Sequence, residues 1–165
     1  MKIAINIKRK ITAIESIEKF KNKKYSSIDI QFTNMHLLKI NELIRKDVFK
    51  KNNLYVSSNT LFDIMQPVGD KHSHNSHNLS PKEIVEVLNN LTNPYCVYVA
   101  KYGRYAFVSI IIGECGEPLI VIIEVGSGTH DNPAANVNKM VTMYPKDNIN
   151  SLLEKLSPKE ILFKK

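Results

Sequence analysis

The spacing of apolar positions along this chain changes period near residue 94, and the change separates two kinds of predicted element. Ahead of it most of the signals are helical. Ile14, Ile17 and Phe20 fall at helical spacing, with Glu15 three residues after Thr12 in a capping-box pattern, and this helix should fray in the lysines of 21–24. Leu37, Leu38, Ile40, Leu43, Ile44 and Val48 predict a longer helix over about 35–50, its lysines and arginine outward. Two alternating stretches interrupt the helices: Ile3, Ile5 and Ile7, suited to a strand or extended arm, and IDIQF at 28–32, a strand. A turn and short strand follow over 50–58. A brief helix capped by Ser58 or Asn59 then runs to Met65 and is closed by Pro67 and Gly69. The clearest start signal is Ser80 as N-cap, Pro81 at the first helical position and Glu83 completing a capping box. Ile84, Val85, Val87, Leu88 and Leu91 form that helix's buried stripe until Asn93-Pro94 ends it.

Beyond Pro94 the segments YCVYVAK, YAFVSIII and LIVIIEV follow one another through short turns, as in an antiparallel meander. A polar loop at 126–136 leads to VNKMVTMY (137–144), a fourth strand. Strict alternation there would put Lys139, Val141 and Met143 on one side and Met140, Thr142 and Tyr144 on the other. A short helix around Leu152, Leu153 and Leu156 precedes ILF (161–163), which suits an edge strand. The expected class is α+β: N-terminal helices followed by a four- to five-stranded antiparallel sheet. Two regions are expected within one compact unit, a basic stretch at 1–53 and the main domain at 54–165.

Composition refines this picture. A chain of 165 residues, 43% apolar and 24% charged, can bury a core and has ordinary globular usage. Its net charge of +7 is unevenly held: residues 1–53 carry 13 Lys+Arg against 5 Asp+Glu, leaving 10 against 11 for the remainder. The first third therefore suits a polyanionic partner, or is a solvated lysine face. No apolar run could span a bilayer and no charged-then-apolar leader opens the sequence, so a soluble protein is expected, with no membrane partner. Cys96 and Cys115 fit buried thiols in a reducing compartment.

Candidate chemistry concentrates in KHSHNSHNLSPKE (71–83), where His72, His74 and His77 lie within six positions. With His130 or Asp131 they could form a metal shell, but the spacing matches neither structural zinc pairs nor HExxH. No metal and no cofactor is expected. His77 stands three residues before the Ser80 cap, tied to a defined helix start, and an imidazole exchanges protons near neutral pH. Lys71 offers a cation for a phosphate. In the last long strand Thr142 can donate a hydroxyl and Tyr144 can stack on a base, while Lys146 follows at the turn. Thr and Tyr are also simply good strand formers. Arg104, at a hairpin tip, is either a turn residue or a substrate contact. GSGTH (126–130) lacks the spacing of a nucleotide cradle, and no nucleophilic Ser or Cys pair is evident.

His77 before LSPKE, then Asn93-Pro94, EPLIVIIEV and the NVNKMVTMYPKDN strand resemble the phage MuF C-terminal domain, over roughly residues 54–163. That domain is grouped with the phage-borne Barnase–EndoU–colicin–RelE nucleases. The resemblance implies helices over a four-stranded antiparallel sheet and metal-independent ribonuclease activity used as a toxin in the cytoplasm of a bacterial cell. RNA would be the substrate and a cognate immunity or antitoxin protein a partner. It makes His77 the acid–base group and Thr142 the phosphate-contacting hydroxyl, with Lys71 and Lys146 as supporting cations. Apart from the resemblance, Tyr144, Asn138, His74 and Arg104 are the expected substrate contacts. Thr142 stands where serine is common, and His72 and His74 are additions to the pattern. The other expectation is a non-catalytic module of the same fold that grips nucleic acid or protein through residues 1–53.

Overall fold

The computed structural model describes residues 2–6, 10–26, 28–33, 35–69, 76–129 and 132–165. Five α-helices and eight strands follow the order β1 (Lys2–Asn6), α1 (Lys10–Asn22), β2 (Asp29–Thr33), α2 (Leu38–Ile44), β3 (Leu54–Ser57), α3 (Ser58–Met65), α4 (Pro81–Asn89), β4 (Cys96–Val99), β5 (Tyr105–Ile112), β6 (Pro118–Ser127), β7 (Val137–Pro145), α5 (Ile149–Glu154) and β8 (Ile161–Lys164). A single turn of 3-10 helix, Lys101–Gly103, joins β4 to β5.

The strands form one sheet in the order β1-β2-β3-β7-β6-β5-β4-β8. β4 to β7 make the expected meander, and β8 closes one edge against β4. The class is α+β and mostly antiparallel, but the expectation of four to five strands was too small. The alternating segments of the first third join the same sheet through β3, which pairs antiparallel with β2 and parallel with β7. β1 adds a second parallel pairing, with β2. Parallel neighbours are brought together by long crossovers, so no local pattern announces them.

Helices α1 to α4 supply one side of the main core. Ile17 and Phe20, Ile40 and Ile44, Leu61 and Ile64, and Ile84 and Leu88 pack with Phe32, Val56, Phe107, Val121, Met140 and Met143. The opposite side of the meander carries a smaller core, in which Tyr98, Ala106, Ile120 and Ile122 meet Ile149 and Leu153 of α5.

Several expected helices differ in their bounds: α3 is capped by Ser57 rather than by Ser58 or Asn59, and α4 ends at Asn89, short of Asn93-Pro94. α1 starts at Lys10, which leaves Thr12 inside its first turn rather than at its cap. The helix expected over 35–50 stops at Ile44, with Arg45 left-handed at φ 55°. Asn41 explains the stop. Its Oδ1 accepts from the N–H groups of Val48 (3.0 Å) and Phe49 (2.9 Å), and its Nδ2 donates to the Phe49 carbonyl (2.8 Å). The side chain satisfies backbone groups in a returning loop, which competes with continued helix. Phe49 then reaches the core from a loop, with Tyr105 and Phe107 at ring separations of 5.8 and 5.9 Å. Of the cysteines, Cys96 is buried as expected, and burial pushes its thiol up to about 11. Cys115 is exposed, a correction that follows from its place at the tip of the β5–β6 turn.

Candidate active site

The segment leading into α4 is anchored from Asn78 onward. Asn78 donates its N–H to the Gln66 carbonyl (2.8 Å) and Leu79 to that of Ile64 (3.0 Å). The expected capping box is present: Ser80 Oγ accepts from the Glu83 N–H (3.1 Å), and Glu83 Oε2 from the Ser80 N–H (2.7 Å). Glu83 is 6% exposed, and its other oxygen accepts from the Glu114 N–H in the β5–β6 turn (2.7 Å). One carboxylate thus ties the start of α4 to the hairpin of the meander.

His77 immediately precedes this anchored stretch and reaches β7. Its ring sits 5.7 Å from that of Tyr144, tilted by 41°. β3 pairs with β7 only at Asn138 and Lys139, so the strand beyond has no β3 partner. The imidazole is half-buried, and burial lowers its pKa below the ordinary histidine value by penalising the charged form.

Tyr144 and Thr142 share a side of β7, but Met143 does not lie with Lys139 and Val141 as strict alternation required. Ile122 pairs with Thr142 and Ile123 with Met140, which leaves Val141 as an extra residue in a β-bulge. Met140 and Met143 therefore both enter the helical core. Val141, Thr142 and Tyr144 face the α5 side, where they line a cavity of about 530 Å3.

The walls of that cavity include Tyr98, Lys101, Tyr102, Arg104, Ile122, Leu152 and Leu156. Tyr98, 5% exposed, hydrogen-bonds Tyr144; burial and that neighbour raise its phenol pKa. Arg104 Nε lies 3.4 Å from Glu124 Oε1, and its guanidinium 5.5 Å from the Tyr102 ring centroid. Thr142 Oγ1 is shielded from solvent and has no hydrogen-bond partner among the described residues.

The sequence-derived candidates thus separate into groups. Thr142, Tyr144 and Arg104 meet at one cavity, and His77 abuts it through Tyr144. Lys146 lies just past β7, its ammonium 3.5 Å from Asp147. Asn138, 2% exposed, sits at the other end of the strand, where its Nδ2 donates to the carbonyls of Lys51 (2.7 Å) and Asn53 (3.0 Å), a clamp on the approach to β3. Lys71, His72, His74, His130 and Asp131 fall outside the described residues, and the metal reading with them. Among the described residues no three His, Cys, Asp or Glu side chains group as a metal site. Sequence reasoning overlooked Tyr98, Lys101 and Tyr102. The signal was present in YVAKYGRY (98–105), where tyrosines interleave with two cations around a turn.

A mostly antiparallel α+β sheet with a histidine, tyrosines and a hydroxyl around a sheet-face cavity defines a class of small α+β domain capable of acid–base chemistry or of holding an aromatic ligand. The family model of the phage MuF C-terminal domain matches residues 69–165, and the chain belongs to that family. No curated protein and no solved structure matches it. Among the described residues, no helix is long and apolar enough to cross a membrane.

Proposed function

We propose that the protein is a metal-independent ribonuclease of the Barnase–EndoU–colicin–RelE type, acting as a phage-associated toxin domain. The observation that carries this reading is the half-buried His77 ring packed on Tyr144, with its pKa lowered by burial. An imidazole kept neutral at pH 7 is a ready proton acceptor. His77 takes the proton of a ribose 2′-OH, and the 2′ oxygen bonds to phosphorus. The bond from phosphorus to the 5′ oxygen breaks, leaving a 2′,3′-cyclic phosphate and a 5′-hydroxyl that gains its proton from water. Thr142, with Arg104 and Lys146, stabilises charge on the phosphoryl oxygens; donors fixed in advance commonly supply the largest rate term. The lysines of residues 1–53 hold the RNA backbone, with strong salt dependence.

The test is incubation of the purified protein with total RNA in EDTA. Cleavage is expected, and its loss in His77→Ala with the fold intact. Undiminished cleavage by that variant removes His77 from the mechanism. A second reading, a non-catalytic binding module, is favoured by the carboxylates that already face Arg104 and Lys146. Salt-sensitive RNA binding without cleavage, and without growth arrest of an expressing host, selects it.

A further inference from the structure

We infer that the cavity on the α5 side of the sheet is a binding site for one unstacked nucleobase of single-stranded RNA. The inference builds on the ribonuclease reading but rests on three observations of its own.

The first is shape and lining. A cavity of about 530 Å3 has room for a nucleotide, and its walls combine tyrosine rings with Ile122, Leu152 and Leu156. Such a wall suits a flat aromatic ring, and stacking on tyrosine is how single-stranded RNA bases are commonly held. The second is Tyr102. It adopts φ 61°, ψ 27°, a left-handed conformation that a bulky side chain rarely takes, and the residue is 86% exposed beside the cavity. Strain of this kind persists where surrounding structure enforces it, and it gathers at ligand clamps. A ring held out at a cavity edge, with the Arg104 guanidinium 5.5 Å away, is placed to fold over a base. The third is the Thr142 hydroxyl, shielded and without a partner among the described residues, in a wall of the same cavity. A buried polar atom left unpaired is costly, and a base edge would supply the missing partner. Lys101 and Arg104 add the cations that the attached phosphate requires.

The site therefore takes a nucleobase by stacking, with Thr142 Oγ1 accepting from an N–H of the base edge while its own proton serves the phosphoryl oxygen. The ring contact between Tyr144 and His77 sets it beside the proposed acid–base group.

Titration of the full protein with the four ribonucleoside 5′-monophosphates, read by calorimetry and by tyrosine fluorescence, tests this directly. Saturable binding to the wild type is expected. Tyr102→Ala, at an exposed position, should weaken it by about tenfold, the loss of one stacking partner. Thr142→Val preserves shape and removes the hydroxyl, so it should change the order of preference among the four bases. Binding that is absent, or indifferent to both variants, overturns the inference. The outcomes separate from those of the ribonuclease test. RNA cleavage without mononucleotide binding sinks this site and leaves the chemistry standing. Mononucleotide binding sensitive to both variants, without cleavage, does the reverse.

Discussion

Burying an imidazole makes its protonated form the expensive one, and His77 shows this effect against Tyr144. The sign for stability follows. Above about 6.5 the ring is neutral in both folded and unfolded chains. As pH falls, the unfolded chain takes the proton first, so stability is lost progressively down to the lowered folded-state pKa. Replacing His77 with Gln should flatten this part of the stability-against-pH curve, measured by urea denaturation between pH 7 and 5. If cleavage is observed, its acid limb should fall with a midpoint below about 6.5, where His77 gains its proton. A limb centred well above that value would point to a different base. Thr142 makes a second prediction at this scale. Its hydroxyl has no partner among the described residues, so Thr142→Val should leave stability unchanged or raise it by up to about 1 kcal/mol. A clear drop in Tm would mean the hydroxyl is already engaged.

Among the elements, α4 is fastened most firmly. Ser80→Ala removes one cap acceptor and should cost about 1 kcal/mol. Glu83→Ala strips the partners from two backbone N–H groups, those of Ser80 and Glu114, and should cost about 2–3 kcal/mol by thermal or chemical denaturation. Equal costs for the two variants would show that the tie to the hairpin contributes nothing. This element was also the most legible in the sequence, because every part of its signal lies within four residues. The start and stop of other elements depended on distant partners. Asn41 ended α2 by bonding to Val48 and Phe49, and nothing in the helical periodicity of 35–50 marks that competition. The bulge at Val141 was equally hidden, because it is defined by register against β6. His77, Thr142 and Tyr144 could be singled out by residue type and position. The cavity's other walls could not, since Tyr98, Tyr102 and Leu156 converge only once β4, β7 and the end of α5 are packed.

At the scale of the whole molecule, the basic first third and the family-matched portion share one sheet and one core. Ile17, Phe20, Phe32 and Ile40 pack in the same cluster as Ile84, Phe107 and Met143. A fragment of residues 54–165 would expose that apolar surface along with the edge of β3 that β2 covers. We expect it to aggregate or to lack cooperative unfolding when expressed alone, as size-exclusion chromatography and calorimetry would show. A soluble, cooperatively melting fragment would establish that the first 53 residues are an accessory. The charge asymmetry remains an argument about partners. It foretold nothing of β1 and β2, whose place depends on the parallel pairing of β3 with β7.

The supernumerary Val141 also has a genetic consequence. Excising that single codon would restore an uninterrupted pleat in which Met140 still pairs with Ile123 and Thr142 with Ile122. Both methionines would stay in the oily interior and the threonine and tyrosine would still wall the chamber, so only the valine and the added twist of the bulge would be lost. In a deep mutational scan, deletion of Val141 should rank among the milder single-codon deletions of this strand, and deletion of Met143, which would turn Tyr144 to the opposite face, among the most damaging.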